Sequence, residues 1–340
     1  MLNQRIDFLA VGDLTTDAFI RLKDAAVHCK VNQADCELCV RFGDKVPFEY
    51  VKVVRAVGNA ANAAVAAARM HLRSALVANI GTDENGRECM LELKKNNVSN
   101  QFVTVHKNKP TNYHFVLWYD ADRTILVNHV DYDYRWPAVK TGSQAPKWIY
   151  LTSLASNTFP YHMAIADYLE RNPGVKLAFQ PGTFQMKLGF EELRRIYART
   201  DVFVVNIEEA QRILDIDTSR SDARDPKMLM KGLAAHGPKL IIVTDNTNGA
   251  YMYDGDKNYF VPMYPDPRPA FDRTGCGDAF ASTFVCALAM GKSHIEALMW
   301  APVNPMSVAQ FIGAQEGLLE LEQLEWWLKN APPEFKVKEI

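Results

Sequence analysis

Short apolar runs rich in β-branched residues alternate with longer segments of helical periodicity along most of this 340-residue chain. The strand-like runs read IDFLAVG, SALVANIG, WIYLTS, VKLAFQ, DVFVVN and KLIIVT. The helical segments cover residues 59–70, 84–95, 161–170, 208–214 and 226–236. Because strands that alternate with helices usually form a parallel sheet covered on both faces, the sequence predicts an α/β fold.

Two regions interrupt this alternation, residues 17–55 and residues 111–130, where strands and turns follow one another without helical periodicity. This pattern predicts a small antiparallel sheet. The inserts follow the first and third strands, so we expect them to fold together as a lid over the carboxyl edge of the main sheet, around a site that excludes water. The predicted domains are an α/β domain of residues 1–16, 56–110 and 131–340, and this discontinuous β lid.

The composition is that of an ordinary globular protein, with 48% hydrophobic and 23% charged residues. A formal net charge of -2 gives no electrostatic reason to bind nucleic acid or an anionic membrane surface. The first residues predict a strand rather than a signal peptide, and no apolar stretch is long enough to span a bilayer, so we expect a cytoplasmic protein. In that reducing compartment the cysteines should be thiols or metal ligands. They are Cys29, Cys36, Cys39, Cys89, Cys276 and Cys286.

The stretch FDRTGCGDAF, residues 271–280, places a glycine-rich turn directly before an apolar segment with strong helical character. A turn of small residues and the first amides of a helix together form an anion site that phosphate can approach closely. Asp278 lies in the first helical turn, beside that site, where it could accept the proton of an alcohol during phosphoryl transfer. The alternative is that Asp278 only favours the helix start and the glycines only turn the chain.

This stretch resembles the carboxyl-terminal signature of the ribokinase-like, or PfkB-type, carbohydrate kinase family, commonly D-T-x-G-A-G-D. The resemblance implies a three-layer α/β/α fold with a β lid, Asp278 as catalytic base, and an anion hole formed by the amides of Gly275, Cys276 and Gly277. It also places Asp272 near a monovalent cation site, which implies K⁺, that some members have. The chain departs from the signature at position 273, where arginine replaces threonine, and at Cys276, which replaces alanine.

Two further segments match the family's sugar-binding motifs. AVGNAANAAV resembles the G-G-x-x-x-N helix start, which implies that Gly58, Asn59 and Asn62 bind the substrate, with the asparagine amides facing ligand hydroxyls. The alternative is that Asn59 caps the helix and Asn62 is solvated. VGDLTTDAF ends the first strand with Asp13 and Asp17, where α/β sheets bind ligands; the family's sugar-binding aspartate lies in this segment, and an Asx turn is the alternative.

The nucleotide side is represented by three more segments. VVNIEEAQRIL has Asn206 and Glu209 at the N-x-x-E spacing that serves magnesium and phosphate in the family, with Glu209 holding Mg²⁺ through water, although helix capping explains the pattern equally well. IIVTDNTNGAYMY resembles the V-T-x-G-x-x-G turn under the phosphates of ATP, through Thr244 and Gly249. VNPMSVAQFIGAQEGL resembles the segment beside the adenine, which implies a contact from Asn304.

These segments, together with the GTDENG turn, follow the family's order from Gly12 to Gly317. One departure concerns FQPGTFQMK, in which Gln180 stands where many members carry aspartate; we assign that segment no catalytic role. A separate cluster, HCKVNQADCELCV, holds His28, Cys29, Cys36 and Cys39. It could form a structural zinc site, or its thiols could pack as hydrophobic groups inside a small sheet.

The resemblance implies an ATP-dependent kinase whose acceptor is a small sugar. The neutral GNAAN stretch lacks the lysine often found in kinases of phosphorylated sugars, which favours an unphosphorylated acceptor. A nucleoside kinase is the alternative, because Tyr113, Phe115 and Trp118 of the lid could stack on a base. A catalytically silent sugar or nucleotide sensor is less consistent with the sequence, because a pure binder has no need of Asp278. A dehydrogenase is less consistent still, because the first strand is not followed by G-x-G-x-x-G. An exposed lid sheet could also pair with its twin in a homodimer.

Overall fold

A computed structural model describes residues 5–29, 36–119 and 122–340. The predicted domain ranges include residues 1–4, 30–35 and 120–121, which lie outside the described residues. The strands of the described part are β1 (Phe8–Val11), β2 (Thr15–Leu22), β3 (Ala26–His28), β4 (Glu37–Cys39), β5 (Phe48–Val57), β6 (Ser74–Gly81), β7 (Ser99–His106), β8 (Asn112–Tyr119), β9 (Asp122–Leu126), β10 (Trp148–Leu151), β11 (Lys176–Phe179), β12 (Val202–Asn206), β13 (Leu240–Thr244), β14 (Ala250–Tyr253), β15 (Asn258–Val261) and β16 (Lys338–Glu339). The helices are α1 (Asn59–Arg69), α2 (Glu84–Lys95), α3 (Phe159–Arg171), α4 (Thr183–Arg199), α5 (Ile207–Ile213), α6 (Pro226–Ala234), α7 (Cys276–Ala289), α8 (His294–Trp300), α9 (Val303–Val308) and α10 (Leu321–Lys329).

The main sheet is mostly parallel, as predicted. Its strand order within the described residues is β16-β15-β14-β13-β12-β11-β10-β1-β6-β7. In this spatial order, all neighbouring strands between β7 and β13 are parallel. Strands β14, β15 and β16 extend the sheet beyond β13 with antiparallel pairing. The polar side chains that follow the parallel strands therefore meet at one edge of the sheet, which is where open α/β sheets bind ligands.

Helices cover both faces of this sheet and make a three-layer α/β/α sandwich. Successive side chains of β1 alternate between two cores: Phe8 and Ala10 pack with α1, α2 and α7 to α10, whereas Leu9 and Val11 pack with α3 to α6. All four side chains are fully buried. A central parallel strand that is apolar on both faces is what this architecture requires.

The two inserted regions form a second sheet, although its pairing is not the one predicted. Its strand order in the described residues is β5-β2-β8-β9, beside a hairpin of β3 and β4. The prediction of an antiparallel sheet is wrong for the central pair, because β2 runs parallel to β8. Both inserts leave the carboxyl edge of the main sheet, one after β1 and one after β7, so their first strands point in the same direction and pair side by side.

The five predicted helices lie within about two residues of α1, α2, α3, α5 and α6. Helix α4, of 17 residues, had no prediction, and its backbone leaves the helical conformation at Gly189, where φ is 82°. This interruption breaks the apolar periodicity on which sequence reasoning depends. In the described part of the chain, none of the helices combines the length and apolarity needed to cross a bilayer.

Candidate functional site

A cavity of about 590 Å³ opens between the carboxyl edge of the main sheet and the lid; we call it the acceptor cavity. A second, more apolar cavity of about 470 Å³ adjoins it, and we call this the nucleotide cavity. Both volumes fall in the range typical of small-molecule sites. The residues that line both cavities are Arg123, Asn206, Thr244, Arg273 and Gly277. The glycine turn before α7 therefore lies at the junction of two ligand-sized spaces.

The turn adopts the conformation that its glycines permit. Gly275 precedes α7 with a left-handed φ of 81°, and a Cβ atom there would lie 2.2 Å from the Cβ of Ala314. A Cβ on Gly277 would meet nothing within 4 Å, so this residue leaves open space at the helix start. The N–H of Cys276 donates to the Arg273 carbonyl at 3.3 Å and is thus used inside the turn, which differs from the predicted role of that amide. The N–H of Gly277 belongs to the first helical turn, where no preceding helical carbonyl accepts it.

Asp278, in that first turn, is buried and is held by neutral donors. Its Oδ1 accepts from Nδ2 of Asn59 and its Oδ2 from Nδ2 of Asn62, both at 2.8 Å. Gln180 donates from Nε2 to Oδ1 at 3.4 Å. Burial raises the pKa of Asp278, and the three amide hydrogen bonds offset only part of that increase. A carboxylate that is hydrogen-bonded but not paired with a cation remains a usable proton acceptor near neutral pH.

The two asparagines were expected to bind the substrate with amides that face ligand hydroxyls; both line the acceptor cavity and both donate from Nδ2 to Asp278, and their contact with a substrate stays a prediction. Neither alternative for them is observed, because Gly58 is the N-cap of α1 and Asn62 is only 6% exposed. Gly58 has φ of 106°, and a Cβ atom there would lie 2.8 Å from the Asp13 carbonyl oxygen. The close approach of these two segments brings α1 and the end of β1 to the same wall of the acceptor cavity.

Asp272, the candidate cation ligand, already has donors on both oxygens. Thr274 donates to its Oδ1 from the backbone N–H at 2.9 Å and from the hydroxyl at 2.6 Å. The Gly313 N–H donates to its Oδ2 at 2.9 Å. These bonds connect the glycine turn to the loop after α9, which fixes the turn without any metal ion.

The far end of the acceptor cavity is acidic and faces two histidines of the lid segment. Asp13 accepts a hydrogen bond from the Tyr134 hydroxyl at 2.7 Å, and its other oxygen lies 3.4 Å from Nδ1 of His129. Oδ1 of Asp17 lies 3.3 Å from Nδ1 of His114. Burial raises the pKa of Asp13 to about 7, against the opposing effects of the Tyr134 hydrogen bond and of His114.

Although the two carboxylates lie within 3.4 Å of histidine nitrogens, these contacts lack hydrogen-bond geometry, and four buried atoms at this end have no hydrogen-bond partner among the described residues: Asp13 Oδ2, Asp17 Oδ1, His114 Nε2 and His129 Nδ1. All four residues line the acceptor cavity. Because an unpartnered buried polar atom is unfavourable, this cluster needs a ligand or water that offers several hydrogen bonds. Burial and the neighbouring His114 lower the pKa of His129, so this ring is neutral at physiological pH.

The aromatic residues proposed for base stacking do not line either cavity. Phe115 is 44% exposed on the outer face of the lid sheet and contacts the Tyr113 ring. Trp118 is buried against Arg21, whose guanidinium carbon lies 4.4 Å from the ring centroid. The aromatic rings that do line the acceptor cavity are those of Phe19, Phe184 and the two histidines.

Asn206 and Glu209 form a reciprocal capping box at the start of α5. Asn206 Oδ1 accepts from the Glu209 N–H at 2.8 Å, and Glu209 Oε2 accepts from the Asn206 N–H at 2.9 Å. Both residues also line the acceptor cavity, and burial raises the pKa of Glu209. The capping alternative is thus observed, and it orients a carboxylate and an amide toward the space beside the glycine turn.

Most of the predicted nucleotide residues surround the nucleotide cavity. Thr244 and Gly249 line it, and Gly249 has φ of 107° with the Val261 carbonyl only 2.4 Å from the position of a Cβ. Asn246 has φ of 48°, the left-handed conformation expected for asparagine in place of glycine. Asn304 lines neither cavity: it is fully buried and bonds to Thr283, so the structure places its side chain away from the adenine space.

Sequence reasoning gave no role to several functional candidates, among them Gln180, whose segment it assigned no catalytic role. Arg123 of β9 lines both cavities, and Gln180 contacts Asp278. His114 and His129 face the aspartates from the lid segment. No spacing in the sequence gave a signal for His114, because it faces Asp17 only through the register of β2 with β8.

The cysteine cluster does not form the zinc site that was considered. Cys29 and Cys36 are joined in a disulfide, so the expectation of thiols or metal ligands is wrong for this pair. Cys39 is a free, half-buried thiol on β4. The described residues contain no group of three or more histidine, cysteine or acidic side chains arranged to hold a metal ion. The two halves of the hairpin place Cys29 and Cys36 side by side, where a bond between them forms most directly.

A lidded α/β sandwich with a buried carboxylate at a glycine-rich helix start has the parts that phosphoryl transfer to an alcohol group requires. The sequence profile of the pfkB family carbohydrate kinases matches residues 42–317, and the chain belongs to this family of phosphotransferases. Members transfer phosphate from ATP to an alcohol group of a small molecule.

Similar proteins include both kinds of kinase. A nucleoside kinase of Methanothermobacter thermautotrophicus is 26% identical over 76% of this chain and 79% of its own. A protein of Arabidopsis thaliana named "Probable fructokinase-5" is 27% identical over 70% of this chain and 75% of its own. The structure of Arabidopsis thaliana ribokinase complexed with ribose and ATP superposes with a TM-score of 0.76, at 18% identity, over 96% of this chain and 99% of that one.

Proposed function

We propose that this chain is an ATP-dependent kinase that phosphorylates a hydroxyl of a small unphosphorylated sugar, with Asp278 as the catalytic base. The observation that carries the proposal is the position of Asp278, which lines the acceptor cavity one residue from Gly277, at the junction with the nucleotide cavity. A base at that junction is within reach of an acceptor hydroxyl and of the phosphoryl group that moves to it.

The chemical step balances within these residues. The acceptor hydroxyl gives its proton to a carboxylate oxygen of Asp278 while its oxygen forms a bond to the γ-phosphorus. The bond between that phosphorus and the bridging oxygen of ADP breaks, and ADP leaves. The N–H of Gly277, which is not used inside the turn, and the dipole of α7 stabilise the charge on the moving group together with the N–H of Gly275, whereas the N–H of Cys276 donates within the turn.

ATP fits the nucleotide cavity on chemical grounds. Its walls include apolar side chains that suit a flat base; these are Ala250, Pro262, Met263, Phe280, Pro302, Met306 and Ala309. Thr244 belongs to the shared wall, where the phosphates would pass, and Gly249 lines the nucleotide cavity alone. The triphosphate would then end at Gly277, whose missing side chain leaves room for it.

Glu209 and Asn206 suit a hydrated Mg²⁺ ion. The capping box uses one carboxylate oxygen of Glu209, and carboxylate and amide oxygens are ligands that Mg²⁺ accepts, often through water. When bound, the ion would neutralise charge on the phosphates. The residues themselves hold their positions through the capping box, so the site exists before any ion arrives.

The acidic far end of the acceptor cavity supports an uncharged, hydroxyl-rich acceptor. Asp13 and Asp17 would repel a phosphate group there, whereas each can accept hydrogen bonds from sugar hydroxyls. The unpartnered nitrogens of His114 and His129 supply further hydrogen bonds. A nucleoside is the second candidate, favoured by the His129 and Phe184 rings, which meet edge to face with centroids 5.6 Å apart at the cavity wall.

Two further properties stay predictions. A K⁺ ion near Asp272 would share the carboxylate with its hydrogen-bond donors and take its other ligands from backbone carbonyls, because Oδ2 has a single donor among the described residues. A homodimer through the lid would bury an apolar outer face on which Val53, Phe115 and Leu126 are each more than a third exposed. These residues lie in one row across the sheet through Ala18, and sedimentation velocity measures whether the row pairs with its twin.

The test of the proposed function is ADP release from ATP with a panel of pentoses, hexoses and nucleosides. We expect turnover with an unphosphorylated sugar, and a fall in kcat of about 10²–10⁴ in Asp278→Asn, because the amide keeps the shape and loses the base. Turnover within a few-fold of the parent in that variant would refute the role of Asp278. Release that is stimulated only by nucleosides would select the second candidate.

A further inference from the structure

The side chain of Gln180 lies between Asp278, the proposed base, and Tyr150, which has no role in the proposed reaction. It follows β11, where its backbone N–H donates to the Leu151 carbonyl at 3.0 Å. Its side-chain Nε2 donates to Oδ1 of Asp278 at 3.4 Å, and its Oε1 accepts a hydrogen bond from the hydroxyl of Tyr150. Tyr150 is on β10 and is fully buried. The three groups thus form a chain from the core of the sheet to the base.

The direction of this chain matters because a carboxamide has two ends of nearly equal shape. If the Gln180 amide turned over, its oxygen would face the Asp278 carboxylate and the two acceptors would repel each other. The turned amide would also deprive the Tyr150 hydroxyl of the oxygen to which it donates, so the orientation with Oε1 toward Tyr150 satisfies both partners. Burial raises the pKa of Tyr150 well above 10, and the charge of Asp278 adds to this, so the hydroxyl keeps its proton.

We infer that Tyr150 and Gln180 are positioning residues for the Asp278 carboxylate: the Tyr150 hydroxyl orients the Gln180 amide so that its N–H faces the base. The inference rests on the proposed function, in which Asp278 is that base. It assigns a positioning role to Gln180, whose segment received no catalytic role in the sequence analysis because glutamine stands where many family members carry aspartate.

The other side of the carboxylate uses the same arrangement. Asn62 donates to Oδ2 of Asp278, and Oδ1 of Asn62 accepts from Nε2 of Gln315 at 3.0 Å. Gln315 also donates to the Ala56 carbonyl at 2.8 Å. Each oxygen of the base therefore has an amide donor whose own orientation is set by a further hydrogen bond.

The surroundings of Asp278 explain why neutral groups serve here. Burial, and in addition the charge of Asp278, raises the pKa of two titratable side chains, Tyr150 of β10 and Glu209 of α5. Helix α1 contributes amides, as does the segment after β11. A cation in place of Gln180 would lower the proton affinity of the base, and a carboxylate there would repel it.

The test follows the Asp278 carboxyl directly, by ¹³C NMR of protein labelled at aspartate carboxyls, from pH 4 to pH 9. The Asp278→Asn variant assigns the signal by its loss. In Gln180→Glu we expect the upper midpoint of the coupled pair to rise by about one pH unit or more, because two carboxylates then share the site. A midpoint that stays within about 0.3 unit of the parent would overturn the inference.

A double-mutant cycle tests whether Tyr150 acts through Gln180. We expect Tyr150→Phe to shift the Asp278 midpoint in the parent and to have no further effect in Gln180→Ala, because the group that it orients is then missing. Equal shifts in both backgrounds would show that Tyr150 acts independently and would contradict the inference. Tyr168→Phe is the matched control: this buried tyrosine donates to the Lys140 carbonyl, away from the site, and its loss should leave the midpoint unchanged.

The outcome is separable from that of the proposed function. NMR of the free protein needs no acceptor, so it reads the positioning of Asp278 even before a substrate is known. Retained turnover in Asp278→Asn would refute the role of Asp278 as catalytic base. It would not contradict the hydrogen-bond chain from Tyr150 through Gln180 to Asp278. If Tyr150→Phe fails to fold, Gln180→Glu alone decides, because glutamate is nearly isosteric with glutamine.

Discussion

The two edges of the main sheet both bury aspartates, but they give them different partners. At the amino edge, Asp7 pairs with Arg73 at 2.7 Å and with Lys147 at 2.8 Å. Asp201 pairs there with Lys176 at 3.2 Å and with Lys239 at 2.8 Å. Each carboxylate joins the starts of neighbouring strands, so the charges at this edge are used to hold the sheet together.

At the carboxyl edge, Asp13 and Asp278 are held by hydroxyl and amide donors. Burial would raise the pKa of Asp7, but hydrogen bonds from Arg73 and Lys147 outweigh it and hold that pKa well below its usual range. At Asp13 and Asp278 burial prevails and the pKa rises. Burial alone therefore does not decide the protonation state of an aspartate in this protein; the charge of its partners does.

The largest effect on stability is expected from Asp7→Asn. It removes the charge between Arg73 and Lys147, and we expect the free energy of unfolding at pH 7 to fall by about 2–4 kcal/mol. Because the pKa of Asp7 is lowered in the native state, its contribution is present above the unfolded pKa and is lost as the pH falls toward the native value. Urea denaturation at pH 7 and at pH 3 measures the difference, which should shrink at pH 3.

We expect the turnover of folded Asp7→Asn to equal that of the parent, because the amino edge lies at the opposite end of the strands from the cavities. A loss of turnover in folded Asp7→Asn, larger than about three-fold, would break the division between a stabilising edge and a functional edge.

Asp13→Asn should act in the opposite direction on stability. With a native pKa of about 7 for Asp13, the native state holds a proton between about pH 4 and pH 7 that the unfolded state has lost. The free energy of unfolding of the parent therefore falls as the pH rises through that window. Asparagine does not titrate, so the variant lacks this pH dependence. Between pH 5 and pH 8 we expect the free energy of unfolding of the variant to rise by about 2 kcal/mol relative to that of the parent. Parallel pH profiles for the two proteins would contradict the expectation.

The smallest effect concerns the lid segment. His129→Leu keeps an apolar side chain beside Phe184 and removes the nitrogen near Asp13, so the KM for the acceptor should rise about ten-fold while the KM for ATP stays unchanged. Initial-rate kinetics with both substrates varied measure the two constants. His71→Leu is the control, because His71 lies on the surface after α1, where it faces Glu322. A rise shared by both variants would mean that the effect is not local.

The fold class could be predicted because the signals for its strands and helices are short-range. The apolar runs of β1, β6 and β10 to β13 and the periodicity of five helices each lie within a short window of sequence. The parallel pairing of β2 with β8 could not be predicted, since the two strands are separated by about ninety residues and pair only because of where each insert begins. The Gly189 interruption hid α4 for a different reason, the loss of periodicity inside one helix.

The candidate site also has a part that the sequence could predict and a part that it could not. The glycine turn, Asp278 and the N-x-x-E pair are contiguous motifs, and the structure brings them to one cavity with Asp13 and Asp17. The amides around Asp278 come from α1 and from the end of β11, more than ninety residues away. Their direction depends on partners such as Tyr150 and Gln315, and no spacing in the sequence encodes that.

The shared wall of the two cavities has a practical consequence for altering this protein. A substitution at Arg123, Thr244 or Gly277 touches the space of both ligands, so any change in acceptor preference would bring a change in ATP binding with it. Asp17, His114 and Phe184 border the acceptor cavity but not its neighbour. A library that retargets the enzyme to a new alcohol should therefore diversify those three positions and leave the common wall as it is.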